Sequence, residues 1–293
     1  MTSEGTLPLV SILIISHNYG RFLAEAIESA LAQTYEPTEI ILVDDGSTDG
    51  SLDVARRYES SIRILSHPNV GVEQTCNRAV QEATAGYFVF LSADDVFEPR
   101  YVEELYRALR RSPEASYAYC RARRFGAETG LMKGFLFSPY ILVRRGNYVN
   151  ASALMAKEDY LAAGGFDKDL ADYALEDWDF WLTMLERGKR GTYVRAPLLR
   201  WRRHAEGSRN PESQEKLARS AKVIRDRHRV LYERTSDWRG RLGYTIELAV
   251  AVVELVVGFS RSQKLLSKAE RRAWRRFQRW HGSTGRDVRG NGG

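Results

Sequence analysis

The 293-residue sequence predicts an α/β protein with a mainly parallel central sheet and helices on both faces. Three observations lead there. Short apolar runs alternate four times with helix-length amphipathic stretches between Leu9 and Leu109. Each run ends in polar residues of turn type, several of them acidic. The composition, 43% hydrophobic and 28% charged with 8 Pro, is that of a chain that buries a core rather than staying disordered.

Leu9–Ile15 is an apolar run of strand length, followed by Asn18, Tyr19 and Gly20 as a turn. Leu23, Ile27, Ala30 and Leu31 then recur at helical spacing. Glu39–Val43 is a second strand, and Asp49 or Ser51 is placed to cap a helix running through Tyr58. Ile62–Leu65 and Val72–Ala83 form the third pair, and Tyr87–Leu91 with a helix marked by Val102, Leu105, Tyr106 and Leu109 the fourth. Farther on, strands are expected at Tyr117–Arg123, Ile141–Arg144 and Tyr193–Leu199, with Gly126–Ser138 as a loop or hairpin. Lys157–Ala163 reads as a helix closed by Gly164-Gly165, and Glu176–Arg187 as a helix with Trp178, Trp181, Leu182 and Leu185 on one face.

In open parallel sheets the ligand site lies beyond the carboxyl ends of the strands. Ser16-His17-Asn18, Asp44-Asp45 and Ser92-Ala93-Asp94-Asp95 all fall there. One acidic pair at a strand end is as well explained by turn and cap formation, but two pairs on one rim favour chemistry. Asp94 and Asp95 offer hard oxygen ligands to Mg²⁺ or Mn²⁺, and Asp44 and Asp45 can accept from the N–H of a base or the hydroxyls of a ribose. No G-x-G-x-x-G follows the first strand and no G-x-x-x-x-G-K-[ST] occurs, which argues against dinucleotide dehydrogenases and P-loop enzymes. Glu176 and Asp177 open an aromatic-rich helix; they complement its dipole, or one of them acts as a general base.

The segments VSILIISHN, EIILVDDGSTDGS, HPNVGVEQTCNRA, GYFVFLSADDVFEP, GGFDKDL and ALEDWDFWLTMLERG, in this order and spacing, closely resemble inverting glycosyltransferases of family 2 with the GT-A fold, over roughly residues 8–206. The resemblance implies a nucleotide-sugar donor, UDP being the expected nucleotide, and a divalent metal, Mn²⁺ or Mg²⁺. It places Ile15, His17, Asp44 and Asp45 around the nucleotide, His67, Asn69 and Gly71 in the loop approaching the donor, and Asn77-Arg78 in the helix behind it. Asp94 falls near ribose or sugar, Asp95 and Asp94 at the metal, and His204, in Trp201-Arg202-Arg203-His204, within reach of metal or diphosphate. Asp177 matches the catalytic base, with Glu176 beside acceptor or sugar. Many relatives carry Asp at the position of Ser92, so the acids that hold the metal stay open.

These readings divide the chain into a catalytic domain over 1–210, a basic helical extension over 211–281 and a tail over 282–293. The net charge of +6 hides an asymmetry: residues 201–293 hold 22 Lys and Arg against 10 acids, the first 200 residues 22 against 28. Ile246–Phe259 is apolar, but its 14 residues include Glu247 and Glu254, too short and too charged for a span of about 20 residues. Arg261–Trp280 carries 8 basic residues and one acid around an apolar stripe, the pattern of a helix lying on an anionic membrane surface; a solvated helix with an ordinary packing stripe is the alternative. Nucleic acid is not expected, since no recognition motif accompanies the charge. Cys76 and Cys120 lack metal-type spacing and the first residues carry no signal-like apolar stretch, so a cytosolic setting, peripheral to the membrane, is expected. The acceptor expected is a glycan or lipid-linked glycan of the cell surface. A non-catalytic sugar-nucleotide-binding scaffold and a nucleotidyltransferase are the competing functions.

Overall fold

The computed structural model describes residues 6–170, 175–205 and 211–236. The chain divides into two compact units, one of residues 1–136 and 147–228 and one of 137–146 and 229–293.

The first unit opens with β1 (Val10–Ser16), α1 (Gly20–Leu31), β2 (Thr38–Asp45), α2 (Ser51–Arg56), β3 (Arg63–His67), α3 (Val72–Glu82) and β4 (Tyr87–Ser92). A short β5 (Val96–Phe97) precedes α4 (Tyr101–Arg111), and β6 (Tyr117–Gly126) and β7 (Gly130–Leu131) form a hairpin. Four strands pair in parallel in the order β3-β2-β1-β4, as the alternating sequence pattern predicts. Such strands are covered on both faces and must be apolar throughout. Ile12, Leu13, Ile14, Ile41, Leu42, Val43, Val89 and Leu91 are all fully buried. Truncating one of them to Ala would cost about 2–5 kcal/mol through lost transfer energy and a residual cavity.

The sheet continues through the strands expected at Tyr117–Arg123 and Tyr193–Leu199, joined by a β8 too short to show in the sequence. β8 (Leu154–Ala156) pairs antiparallel with both β4 and β6, and β9 (Gly191–Arg203) runs parallel to β6 and antiparallel to β5. Register shifts flank Arg121 in the β6–β9 pairing, the irregularity by which a bulge re-aims a strand end. Between these strands lie α6 (Lys157–Ala163), closed by Gly164 and Gly165 in left-handed conformation as expected, and α7 (Glu176–Glu186). α8 (Pro211–Arg227) ends the unit.

In the second unit, α5 (Pro139–Arg144) corrects the strand expected at Ile141–Arg144. Pro139 occupies the first turn and the Ser138 hydroxyl accepts from the Ile141 amide at 3.1 Å, so cap and proline together override the β-branched composition. Arg144 joins α5 to α9 (Arg229–Ser236): its Nε donates to Thr235 Oγ1 at 2.9 Å, and its guanidinium lies over the Tyr232 ring.

No helix among the described residues is long and apolar enough to cross a membrane. The apolar Ile246–Phe259 segment, the Arg261–Trp280 surface helix and the 282–293 tail lie outside the described residues.

Candidate active site

The register of the parallel strands brings the acidic rim together. Ser16 is level with Asp44, Asp45 with His67, and Ile15 with Ser92. The Ile15 carbonyl accepts from the Ala93 amide at 3.0 Å, tying β1 to the loop that carries Asp94 and Asp95.

Asp45 organises the donor-side loop. Its two carboxylate oxygens accept from the Val70 amide at 2.8 Å and the Gly71 amide at 3.1 Å, so the segment between β3 and α3 is folded over the end of β2. Gly46 makes this approach feasible: it adopts φ +69°, and a Cβ there would meet the Asn69 amide nitrogen at 2.6 Å. His17 Nδ1 donates to the Asp45 carbonyl at 2.7 Å, which leaves Nε2 as an acceptor for Asn18 Nδ2 at 3.2 Å, and Asn69 Nδ2 stands 3.3 Å from the same nitrogen. His67 Nδ1 donates to the Pro68 carbonyl at 2.8 Å. Asp44 Oδ2 accepts from the Ser47 amide and the Ser66 hydroxyl, while Asp44 Oδ1 and the Ser16 hydroxyl are buried without a partner. Unpaired polar atoms at a strand end are costly unless a ligand satisfies them.

Asn77 is placed differently from the other donor-side residues. Its amide is spent on the framework: Nδ2 donates to the Phe166 carbonyl at 2.7 Å, and Oδ1 accepts from the Tyr160 hydroxyl and the Phe166 amide. It clamps α3 to the turn after α6 rather than reaching the rim.

At the fourth strand end, Asp94 Oδ1 accepts from the Ser92 hydroxyl at 2.6 Å and Asp94 Oδ2 lies 2.8 Å from His204 Nε2. Asp95 Oδ1 accepts from the Arg202 amide at 2.8 Å. Burial, reinforced by the Asp94 charge, pushes the Asp95 carboxyl well above the usual carboxylate range. Among the described residues no three His, Cys, Asp or Glu side chains gather as a preformed metal centre, so the trio Asp94, Asp95 and His204 does not stand ready-made. Asp94 Oδ2 and His204 Nε2 meet in a hydrogen bond that a divalent ion would have to replace, and the carboxylates of Asp94 and Asp95 are hard oxygen donors of the kind that Mg²⁺ or Mn²⁺ takes.

α7 supplies the second half of the site. Leu175 precedes it at φ +78°, an outlier for a bulky residue and a mark of local constraint. Asp177 is half-buried and its carboxyl is pushed up to about 7, by burial first and the Glu176 charge second. Asn147 Nδ2 donates to Asp177 Oδ2 at 2.7 Å, and the Val149 amide donates to Asn147 Oδ1, which fixes the amide's orientation. Glu73 on α3 links the two halves: its carboxyl is raised by burial first, then by the charge of Glu176, with Asp45 adding to the effect. Glu176 and Asp45 therefore border one electrostatic environment. Asn147, Glu73 and Tyr19, whose ring stacks 6.1 Å from that of His204, went unread in the sequence, since a loop asparagine or a helix-face acid carries no pattern.

A mainly parallel sheet with acids gathered at its carboxyl rim, and an acidic helix start beyond it, is the arrangement of the GT-A fold of sugar transferases. The chain belongs to the glycosyl transferase family 2, whose profile matches residues 11–162. It is 28% identical over 203 residues to the putative glycosyltransferase EpsE of Bacillus subtilis, covering 67% of this chain and 73% of that protein. It is 40% identical over 104 residues to an uncharacterised glycosyltransferase of Rickettsia prowazekii, where the match spans 36% of this chain and only 33% of the relative. The fold is that of Staphylococcus aureus TarS residues 1–349, solved with UDP (TM-score 0.59, 16% identity, 73% of this chain and 64% of that one). It is also that of the mannosyltransferase PcManGT of Pyrobaculum calidifontis, solved with GDP-Man and Mn²⁺ (TM-score 0.57, 16% identity, 94% of this chain and 84% of that one).

Proposed function

We propose that the chain transfers a sugar from a nucleotide-sugar donor, UDP-linked by preference, to a hydroxyl of a glycan or lipid-linked glycan, with inversion at the anomeric carbon. The observation that carries this reading is Asp177: a carboxyl pushed up to about 7, oriented by Asn147 and next to Glu176, whose charge also reaches Glu73 on the donor side. A base with that affinity for a proton is matched to work near neutral pH.

In this mechanism Ser16, His17, Asp44, Asp45 and Asn69 hold the nucleotide, the unpaired Asp44 Oδ1 accepting from a base N–H or a ribose hydroxyl. Asp177 takes the proton of the acceptor hydroxyl as its oxygen attacks the anomeric carbon. The carbon–oxygen bond to the diphosphate breaks on the opposite face, and no covalent enzyme intermediate forms. Asp94 and His204, with Asp95 behind them, are the residues that would hold a divalent ion, which supplies neutralisation of the departing diphosphate. Glu176, one residue from the base, keeps the Asp177 proton affinity high through its charge.

The test is release of nucleoside diphosphate from UDP-, GDP- and dTDP-sugars with Mn²⁺, in wild type and Asp177→Asn. Release by the wild type and its loss in the variant support the reading; equal release by both would sink it. Inorganic diphosphate released from a nucleoside triphosphate would instead favour the nucleotidyltransferase reading.

A further inference from the structure

Beside the donor rim, β6, β7 and β9 carry an excess of positive charge that the transfer mechanism does not use. Residues 121–133 and 195–203 contain eight basic side chains and one acid, Glu128. The parallel register pairs Arg123 with Arg200 and Phe125 with Arg202, which puts these four side chains on one face. Arg124, Trp201 and Arg203 lie on the other, where Arg124 and Arg203 share Glu128 at 3.1 and 3.9 Å.

On the first face the cations outnumber their partners. Arg202 lies between two rings, its guanidinium carbon 4.3 Å from the Phe22 centroid and 4.2 Å from that of Phe125. Arg200 shares the Phe125 ring at 4.5 Å, and Arg21 lies 4.4 Å over Phe22. Glu25 is the acid that serves this group: it pairs with Arg202 and stands 3.7 Å from Arg200. Arg21 and Arg123 are exposed and have no carboxylate within 4 Å among the described residues. Three guanidinium groups, those of Arg21, Arg200 and Arg202, thus gather around two aromatic rings and one carboxylate, with Arg123 opposite Arg200 in the strand register. Crowding of like charges costs free energy unless an anion joins them, and a guanidinium stacked on a ring can still donate from its unengaged edge N–H groups; Arg202 spends its Nε on Asp94 and one Nη on Glu25.

We propose that the cluster of Arg21, Arg123, Arg200 and Arg202 is a binding site for an acidic glycan, its carboxylate or phosphate groups held by the guanidinium edges beside the transfer site. Three observations favour a glycan over a bilayer. Arg202 is continuous with the rim, its amide donating to Asp95 and its Nε to the Asp94 carbonyl, so an anion held here lies next to the donor. The Arg202 side chain is only 12% exposed, recessed rather than protruding toward a lipid surface. Neither Phe22 nor Phe125 is among the exposed large apolar residues that insertion into a membrane would use. Along an extended strand, side chains two residues apart stand about 7 Å from each other, a spacing suited to a linear chain of charged sugars.

The experiment measures binding to the full chain without any donor, so it is independent of the proposed transfer reaction. The probes are trigalacturonate for carboxylates, 6-phosphorylated maltotriose for phosphates, unmodified maltotriose as the neutral control, and vesicles of phosphatidylglycerol. The variant is Arg123→Gln/Arg200→Gln, which leaves Arg202 and its rim contacts in place, with Arg57→Gln just after α2 as a distant charge control and thermal unfolding as a check on the fold. The wild type is expected to bind at least one charged trisaccharide about tenfold more tightly than maltotriose, and the double variant to lose that advantage while Arg57→Gln keeps it. Whether the carboxylate or the phosphate probe wins identifies the charged group. Equal affinity of wild type for charged and neutral sugars, retention of the advantage in the double variant, or a loss confined to vesicle binding would overturn the proposal.

Discussion

Asn147 Nδ2 donates to Asp177 Oδ2 at 2.7 Å, while the Val149 amide holds Asn147 Oδ1, so one oxygen of the carboxyl raised to about 7 is fixed through the Asn147 amide. Burial and the Glu176 charge make that carboxyl hard to ionise, and the Asn147 donation works against both by favouring the carboxylate.

Removing the donor with Asn147→Ala should therefore raise the Asp177 pKa further and move the acidic limb of the rate profile to higher pH. A shift of about one unit corresponds to a loss of about fivefold at pH 7 that is recovered near pH 9. A pH profile of kcat checks this; a uniform loss at every pH would mean that Asn147 only supports the fold.

Asp177→Asn keeps the hydrogen-bonding shape but cannot take a proton. Transfer should fall by about 10²–10⁴-fold with donor binding retained, read as kcat against the dissociation constant of the nucleoside diphosphate.

Asp95→Asn is expected to separate stability from activity. Because the folded-state carboxyl is raised, its ionised form costs stability at every pH above the unfolded value of about 4, and the cost grows as pH rises toward the folded value. The amide removes the repulsion with Asp94 and its oxygen can still accept from the Arg202 amide. Thermal unfolding at neutral pH should move up by about 2–4 °C, the effect of roughly 1 kcal/mol in a unit of this size, while transfer falls.

The first half of the fold is legible because parallel strands buried on both faces must read as apolar runs, and β1, β2, β3 and β4 do so with their acids displayed at the ends. β5 and β8, of two and three residues, are too short to show a period, and α5 is decided by Ser138 and Pro139 against the composition of Ile141–Val143. The site divides in the same way. Asp45 and His67 adjoin in space because strand register pairs them, and Asn69 follows two residues on in the loop. The Asn147–Asp177 pair joins residues 30 apart through a loop, and only the folded chain brings them together. Asn77, which lies in the quoted helix segment, turned out to brace the Phe166 turn.

His228 gives a prediction remote from the rim. It lies between Asp179 at 3.1 Å and Glu186 at 3.0 Å. Burial lowers its pKa, but the hydrogen bonds to the two acids more than reverse this and take it up to about 9. A raised histidine contributes stability that is fully present below the unfolded value of 6.5 and is lost as pH rises through about 9. The melting temperature of wild type should fall across that window, and His228→Gln should flatten the dependence.

Inversion driven by Asp177 is read most directly by proton NMR of the sugar product formed from an α-linked UDP-sugar with Mn²⁺ and a glycan acceptor. The wild type is expected to form a β-linked product and Asp177→Asn none. An α-linked product, or an undiminished yield from the variant, would contradict it.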